Sequence, residues 1–367
     1  MRKQICFVHD WLVQIAGAEH VLIELLRIYP TEVFTLFYCE NTVKEIVKLT
    51  GISKLKLQAT FLQKVPKVRK LYKSLLPLFP LAIESLNLNN YDIVFSLSHA
   101  IAKGVKTHRN QLHICYCHTP MRYIWHLYDS YYNYGNYLSK MGLKLFRKYL
   151  QKWDVKTSKN VDIFLVPSTA VKERVRKIYN RNSIVVPPPV NVDKFNPSFV
   201  KDKYFIFVGR LDIPYKKVNI VIEAFSRLKD QKLIIVGSGS DEQKLKEMAS
   251  SNIEFVGWKT GDELINYISK ARALILPSEE DFGLVSVEAQ ACATPVIAYG
   301  KGGAIDTVID GKTGVLFYEQ TVEALISAID HFLRHEDSFD LKNIRKNSLK
   351  FSSKNFQNRI KSIISKF

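Results

Sequence analysis

Short apolar runs alternate with longer segments of helical periodicity along the chain, and this alternation constrains the fold more than any other feature. In the first half the apolar runs are residues 5–8, 33–38, 93–97, 112–117 and 163–166, with helix-like segments such as 18–29 and 170–179 between several of them. Strands that are apolar at every position are buried on both faces, which is typical of a parallel sheet flanked by helices. The first half therefore predicts an α/β domain.

The second half repeats the alternation. Its predicted strands are 204–208, 232–236, 253–256, 273–276, 295–298 and 315–317, and its predicted helices are 218–228, 242–250, 261–270 and 321–334. A triple proline, Pro187–Pro189, precedes this half, and proline can continue neither a helix nor a central strand. We predict two doubly wound domains, residues 1–197 and 198–345, followed by a basic, helix-like segment, 346–367.

Charge and cysteine content narrow the classes of partner and compartment. A net charge of +18 predicts an anionic partner: nucleic acid, an anionic membrane surface or phosphorylated substrates. Zinc-finger spacing, an RNA-recognition signature and a basic zipper are all missing from the sequence, which argues against nucleic acid. Five irregularly spaced cysteines favour a reducing compartment, and the N-terminus lacks a signal-peptide pattern. We expect a soluble or peripheral protein.

Two basic stretches are candidates for membrane contact. Residues 54–73 carry seven Lys and Arg, including Lys64, Lys67, Lys70 and Lys73, without a single acid, and apolar residues such as Phe61 and Leu62 are interspersed among them. A basic amphipathic stretch of this kind is typical of membrane-surface binding. A solvated helix face is the alternative. Residues 140–159 form a second basic stretch, with Asp154 as its one acid.

The segment from Glu280 to Glu288 is the strongest functional signal. It follows the predicted strand at 273–277 and includes the start of an apolar-periodic helix, near Phe282-Gly283. A helix N-terminus offers unpaired N–H groups to an anion such as phosphate, and carboxylates accept hydrogen bonds from sugar hydroxyl groups. The helix dipole alone would explain acids in the first turn, at Glu280 and Asp281, but it does not explain Glu288.

Several other polar residues follow predicted strands, and ligands of open α/β sheets bind beyond the carboxyl ends of strands. After the second-half strands come Gly209-Arg210 with Lys216 and Lys217, Val256-Gly257-Trp258, and a glycine-rich loop at 299–304. In the first half, a small-residue loop containing Gly17 follows the first strand, and His118 follows the strand at 112–117. The sequence shows no Asp-x-Asp pair after a strand, so a metal-bridged diphosphate is not predicted.

The segment Glu-x-Phe-Gly-Leu-x-x-x-Glu resembles the paired-glutamate motif of the retaining glycosyltransferases of family 4. The resemblance implies the GT-B fold, two Rossmann-like domains facing across a cleft, with the last segment, 346–367, packing back on the first domain. It implies that Glu280 lies against the transferred sugar and Glu288 binds the ribose. It also implies that His118 is a catalytic residue that contacts the donor sugar. The other implied donor contacts are Gly17, Gly209, Val256, Trp258, Phe282, Gly283, Leu284 and Val285.

The same resemblance implies that Arg210 and Lys216 hold the diphosphate, with Lys217 as the alternative if the longer loop shifts the register. The segments His-Asp-Trp, Tyr-Cys-His-Thr-Pro and Glu-Glu-Asp-Phe-Gly resemble O-antigen and surface-polysaccharide mannosyltransferases. They imply transfer of mannose from GDP-mannose to a lipid-linked oligosaccharide, without a metal or other cofactor, on the cytoplasmic side of the cell membrane. Another hexosyl or deoxyhexosyl donor, a non-catalytic sugar-nucleotide sensor and a nucleic-acid-binding protein are the alternatives.

Overall fold

The protein is described from a computed structural model, which covers residues 3–72, 74–134 and 137–367. The chain divides into two compact units, unit 1 with residues 1–188 and 357–367, and unit 2 with residues 189–356. This division falls inside the triple proline, ahead of the boundary predicted at residue 197. It also assigns residues 346–356 to unit 2 and only the last eleven residues to unit 1.

Unit 1 contains a seven-stranded, fully parallel sheet with the order β3-β2-β1-β4-β5-β6-β7. Its strands are β1 Ile5–His9, β2 Val33–Thr35, β3 Leu57–Ala59, β4 Ile93–Ser98, β5 Leu112–Cys117, β6 Ile163–Val166 and β7 Ser183–Val185. The register pairs Phe7 with Val33 on one side and with Phe95 on the other. The predicted parallel sheet is confirmed.

Unit 1 contains seven helices within the described residues, and two of them end at recognisable capping residues. The seven helices are α1 Gly17–Ile28, α2 Glu40–Thr50, α3 Val68–Leu71, α4 Phe79–Glu84, α5 Tyr128–Tyr134, α6 Tyr137–Ser158 and α7 Thr169–Tyr179. The Ser168 hydroxyl accepts the N–H of Val171 at the start of α7, and Asn180 ends that helix in the left-handed conformation. Gly51 ends α2 in the same way.

Unit 2 contains a six-stranded parallel sheet with the order β10-β9-β8-β11-β12-β13. Its strands are β8 Tyr204–Val208, β9 Lys232–Val236, β10 Ile253–Gly257, β11 Ala273–Leu276, β12 Val296–Tyr299 and β13 Gly314–Phe317. Its helices are α8 Ile213–Lys216, α9 Val218–Arg227, α10 Glu242–Met248, α11 Gly261–Lys270, α12 Leu284–Ala291, α13 Ala304–Thr307, α14 Val322–His335 and α15 Leu341–Ser348. A last helix, α16 Ser353–Ile364, begins in unit 2 and continues into the segment assigned to unit 1.

The central strands of unit 2 are buried on both faces, as their continuous apolar character predicts. Phe205 and Phe207 of β8 pack in a core on one face, while Ile206 of the same strand packs in a core on the other face. Each fully buried side chain of this size contributes about 1.5–3 kcal/mol relative to an exposed one. The sheet is therefore a rigid base for the loops that follow its strands.

Each sheet reverses its winding direction at one pair of neighbouring strands. In unit 1 this pair is β1 and β4, and in unit 2 it is β8 and β11. At such a switch point the two crossover connections leave toward opposite sides, which opens a crevice beyond the carboxyl ends of the strands. The topology therefore indicates a ligand position beside the residues that follow β8 and β11.

The basic stretch at 54–73 is not one amphipathic helix. It consists of β3, a 3₁₀ turn at Phe61–Lys64 and the single turn of α3, and Leu62 is fully buried. Leu62, one of the apolar residues of the predicted amphipathic stretch, therefore cannot face a membrane, because its side chain belongs to the core of unit 1. Lys73 lies outside the described residues. Over the part of the chain that the structure covers, no helix combines the length and apolarity needed to cross a bilayer.

Candidate active site

The centre of the candidate site is a contact between the loops that follow β8 and β11. The Nζ atom of Lys216 lies 2.7 Å from Oε1 of Glu280, and the hydroxyl of Ser278 donates to the same oxygen at 2.7 Å. Both members of the ion pair are partly exposed, whereas Ser278 is buried. The sheet thus brings a cation and a carboxylate, 64 positions apart in sequence, to its switch point.

Local structure explains why Lys216 reaches Glu280 and its neighbour does not make this contact. The carboxylate of Asp212 accepts the N–H of Tyr215 and begins the single turn of α8, which ends at Lys216. Lys217 has a left-handed backbone, with φ of 54°, and links α8 to α9. Gly209 lies beside this turn, since a Cβ there would be 3.8 Å from the Cε of Lys216.

Arg210 follows Gly209 and is directed toward solvent. Its guanidinium lies 3.4 Å from the carboxylate of Asp212, and its side chain is 65% exposed. An exposed ion pair of this kind contributes little to stability. Arg210 is therefore a cation that a ligand at the carboxyl edge of the sheet can recruit at small cost.

Two glycines hold the backbone of Glu280 close to the loop after β12. Glu280 forms a parallel bridge with Gly302, and the N–H of Gly303 donates to the Glu280 carbonyl at 2.7 Å. A Cβ at Gly302 would lie 2.2 Å from that carbonyl oxygen, and one at Gly303 would lie 2.3 Å from the backbone of Phe282. Only glycine permits this approach, so the glycine-rich loop fixes the position of Glu280.

The helix α12 begins directly after this bridge. Gly283 is its N-cap, with φ of 84°, and Leu284 and Val285 form the first turn, whose N–H groups have no partner within a helix. Phe282 is buried and its ring packs edge-on against Phe351 at 5.6 Å. The N-terminus of α12 is therefore an anchored, positively polarised end at the carboxyl edge of the sheet.

Glu288 lies one turn further along α12 and has an unusual protonation equilibrium. Burial raises the pKa of its carboxyl to about 7, and the positive charge of Lys194 opposes this shift without cancelling it. Near neutral pH the group is therefore divided between carboxylate and carboxylic acid. The carboxylate accepts hydrogen bonds from hydroxyl groups, and the carboxylic acid can both donate to them and accept from them.

Val256 and Trp258 lie at the end of β10, on the same edge of the sheet. Gly257 between them has φ of 74°, and its carbonyl accepts the N–H of Gly237 at 2.9 Å. Trp258 is 63% exposed, which is unusual for a ring of this size. Strand β9 separates β10 from β8, so Trp258 lies about 10 Å along the edge from the residues after β8.

In unit 1 the residues after β1, β4 and β5 form a second polar cluster. The buried carboxylate of Asp10 accepts the four backbone N–H groups of residues 99–102 and lies 3.0 Å from Nδ1 of His99. Burial alone would raise the pKa of Asp10, but the charge and the hydrogen bonds of His99 hold it below its usual value. His118 follows β5, with its ring 6.4 Å from that of His99, and Gly17 opens α1 after β1.

The structure therefore brings together Gly209, Lys216, Glu280 and the start of α12, and it places His118 and Gly17 in the other unit. Two contacts at these sites were not predicted from the sequence. Ser278 was missed, although a polar residue just after a buried strand is a usable signal. The Asp10–His99 pair was missed because only the order of the strands brings β1 next to β4.

Two models of known protein families together match most of the chain. Residues 29–194 match the model described as Glycosyltransferase Family 4, and residues 191–351 match the model described as Glycosyl transferases group 1. Each half of the chain thus matches one of the two domains found in GT-B glycosyltransferases, and the chain has the GT-B fold. The doubly wound fold predicted for each half is the fold of these domains.

Solved structures share this GT-B fold over nearly the full chain. HepE of Anabaena in complex with UDP has a TM-score of 0.73 and 17% identity, covering 99% of this chain and 100% of that one. Sucrose-phosphate synthase of Thermosynechococcus elongatus has a TM-score of 0.73 and 20% identity, with 99% of each chain covered. At these identities the likeness concerns the fold.

Curated relatives match a shorter region of the GT-B chain. D-inositol 3-phosphate glycosyltransferase of Mycobacterium tuberculosis is 36% identical over 172 residues, which cover 41% of this chain and 36% of the relative. The same protein of Mycobacterium bovis matches equally well. The chain thus spans about a third of the length of the curated relatives that it matches.

Proposed function

We propose that this protein is a retaining glycosyltransferase that moves a hexosyl group from a nucleotide sugar to a hydroxyl group of an acceptor. The observation that carries the proposal is the contact of Lys216 with Glu280 at the switch point of unit 2. It places a cation suited to a diphosphate within hydrogen-bond distance of a carboxylate suited to sugar hydroxyl groups. The reacting bond of a nucleotide sugar joins these same two parts.

The charges of the site match the charge that develops during transfer. As the glycosidic bond breaks, the leaving diphosphate gains negative charge, and cations fixed nearby stabilise the transition state more than the ground state. Lys216 supplies a point charge, Arg210 supplies a planar fork, and the N-terminus of α12 supplies backbone N–H groups. These groups support transfer without a metal ion.

Glu280 has the role of orienting the transferred sugar. Its carboxylate is held by Lys216 and Ser278, and its backbone is held by Gly302 and Gly303. A group fixed at so many points loses little freedom when it binds a hydroxyl. Glu288 binds the ribose in this proposal, and Trp258 lies on the side of the nucleotide base.

We propose GDP-mannose as the donor, on the resemblance to surface-polysaccharide mannosyltransferases. UDP-hexose is the second candidate, because HepE, which shares the fold, was solved with UDP and with UDP-glucose. The proposed acceptor is a lipid-linked oligosaccharide. The enzyme would then work at the inner face of the cell membrane, as a peripheral cytoplasmic protein.

A thermal-shift panel of nucleotides and nucleotide sugars in a chelating buffer tests this proposal. A ligand at about a hundred times its dissociation constant adds roughly 2.7 kcal/mol of stability. Stronger stabilisation by GDP than by UDP supports the mannose donor, and the reverse order supports a UDP-hexose. Failure of every nucleotide to stabilise the protein would contradict the proposed function.

Two substitutions separate the roles of the glutamates. Glu288→Ala is expected to weaken binding of the free nucleotide, because it removes the ribose contact. Glu280→Ala is expected to lower turnover more than nucleotide binding, because it touches the sugar. Calorimetry with the nucleotide and kinetics with the donor measure the two effects. Nucleotide binding without transfer to any acceptor would instead indicate a sugar-nucleotide sensor.

A further inference from the structure

The excess positive charge of the protein belongs to one unit only. Unit 1 contains 31 Lys and Arg against 12 Asp and Glu, a formal charge of +19, whereas unit 2 contains 22 against 23, a charge of −1. Unit 2 carries the proposed diphosphate clamp, so binding of a nucleotide does not account for the excess. The charge of unit 1 indicates a separate anionic partner.

The outer face of helix α6 is a regularly patterned basic surface of unit 1. Within residues 140–158 of this helix, the exposed residues form two adjacent rows, each with a spacing of four residues, which places the members of a row above one another on the helix. One row is apolar and consists of Met141, Leu145 and Tyr149, which are 53%, 70% and 49% exposed. The other row is basic and consists of the exposed lysines Lys144, Lys148, Lys152 and Lys156.

The one acid in the sequence of α6, Asp154, does not weaken this surface. It is fully buried, lies 2.7 Å from Nζ of Lys103, and accepts hydrogen bonds from the Trp125 indole at 2.7 Å and the Tyr179 hydroxyl at 2.8 Å. Its charge is thus compensated inside the unit. The lysine row therefore faces solvent without an acidic neighbour on its own helix.

The inner face of α6 is fixed to unit 1, so the outer face has a defined orientation. Leu150 and Trp153 are buried in the core, and the Trp153 indole donates to Glu84 of α4 at 2.6 Å. Gly104 makes room for the Trp153 ring, since a Cβ there would lie 2.2 Å from it. At the other side, the Arg147 guanidinium stacks on Tyr128 of α5 at 3.6 Å. The helix therefore presents its two rows on a rigid support.

We propose that the outer face of α6 is the surface by which the protein docks on an anionic lipid bilayer. The lysine row pairs with lipid phosphates, and Met141 and Leu145 enter the boundary between head groups and acyl chains. Tyr149 suits the same boundary, because its ring is apolar and its hydroxyl remains hydrated. Charge complementarity and the apolar row together select this partner.

The apolar row distinguishes a bilayer from nucleic acid. A nucleic acid would gain from the four lysines, but it offers a hydrated phosphate backbone and gains nothing from an exposed Leu145 or Met141. A bilayer gains from both rows, because burial of the apolar side chains adds to the attraction between opposite charges. The binding energy should therefore depend on both sets of residues.

Sedimentation of the full-length protein with vesicles tests the proposal. The vesicles contain either phosphatidylcholine alone or phosphatidylcholine with phosphatidylglycerol, and no nucleotide is present, so the result is independent of the proposed transfer reaction. We expect binding to the anionic vesicles only, weakened by added salt. Far-ultraviolet circular dichroism with thermal melting establishes that each variant is folded.

Three variants separate the contributions. Lys144→Gln, Lys148→Gln and Lys152→Gln combined are expected to lower the partition coefficient roughly a hundredfold, since each lysine near an anionic surface contributes about a factor of five. Met141→Ser with Leu145→Ser is expected to lower it at least about tenfold. The matched control, Lys54→Gln, Lys56→Gln and Lys64→Gln, removes the same charge from the other basic stretch and should change binding by less than about threefold.

Several results would overturn the proposal. Undiminished vesicle binding by the folded α6 lysine variant would show that this face is not the docking surface. An equal loss in the Lys54 control would show that only net charge matters. Full vesicle binding by the Met141 and Leu145 variant, together with release of the wild-type protein by duplex RNA, would identify the surface as a nucleic-acid site.

Discussion

Replacement of Glu288 by glutamine should make the stability of unit 2 less dependent on pH. Burial raises the pKa of Glu288 from its ordinary value of 4.5 to about 7. Between these two pKa values the folded protein keeps a proton that the unfolded chain has released, so the free energy of unfolding falls as the pH rises through this window. The loss is complete above the pKa of the folded state.

The magnitude follows from the separation of the two pKa values. Each pKa unit corresponds to about 1.4 kcal/mol, so ionising the partly buried Glu288 costs the folded state about 3 kcal/mol at about pH 8. Glutamine has the same shape and carries no charge, so Glu288→Gln should be about 3 kcal/mol more stable than the parent at about pH 8. At about pH 4 both side chains are neutral and the two proteins should be nearly equally stable.

Thermal melting of both proteins from about pH 4 to about pH 8 measures this difference. For a unit of this size, about 3 kcal/mol corresponds to a shift in melting temperature of roughly 6–12 °C. The exposed Glu319, also in unit 2, provides a matched control as Glu319→Gln. A difference in stability between Glu288→Gln and the parent that stays constant with pH would show that Glu288 does not titrate with a raised pKa in the folded protein.

Three further predictions concern the clamp, a buried ion pair and a close backbone contact. Lys216→Ala should slow transfer about a hundredfold, as expected for loss of one group that stabilises developing charge, while Lys217→Ala should have a much smaller effect. A chelator should not change the rate of transfer, and a strict requirement for a divalent cation would contradict the prediction. Lys103→Met and Asp154→Leu should each lower the free energy of unfolding by about 3–5 kcal/mol in urea denaturation, because each single change leaves a buried unpaired charge. The double variant should lose less than the sum of the two single losses. Single losses below about 1 kcal/mol would contradict this prediction. Gly303→Ala should lower the melting temperature and weaken nucleotide binding, because its Cβ would lie 2.3 Å from the Phe282 backbone, whereas Gly142→Ala, in an open helical position, should leave both unharmed.

The strands that form the sheet centres could be predicted from sequence because every residue in them is apolar. The observed bounds of β8, β9 and β11 agree with the predicted ones for this reason. The outer strands β3 and β7 were missed. Each has three residues, and neither contains a fully buried side chain, so neither strand appears in the sequence as a continuous apolar run.

The basic stretch at 54–73 shows where local pattern is insufficient. Its mixture of lysines and apolar residues predicted one amphipathic surface, but Pro66 and the position of β3 divide it, and Leu62 faces the core. Helix α6 carries a similar composition over 22 residues without such a break. Whether an apolar residue beside lysines is exposed depends on tertiary packing, which the sequence pattern does not specify.

The candidate site could be predicted only as far as the strand ends are visible in the sequence. Arg210, Glu280 and the start of α12 follow apolar runs, so their position at the edge of the sheet could be inferred. The choice between Lys216 and Lys217 could not, because it depends on the left-handed backbone of Lys217. The partnership of Ser278 with Glu280 likewise depends on side-chain geometry. The functional roles of these residues stay predictions.

Titration calorimetry of the full-length protein with GDP and with UDP, in buffer containing a chelator, is the most direct test of whether unit 2 binds a nucleotide sugar. We expect saturable binding of one nucleotide per chain by the wild-type protein, and a loss of most of this affinity when Arg210 and Lys216 are both replaced by alanine. If neither nucleotide binds, or if the double variant binds as tightly as the wild type, the edge of unit 2 between β8 and β11 is not a nucleotide-sugar site.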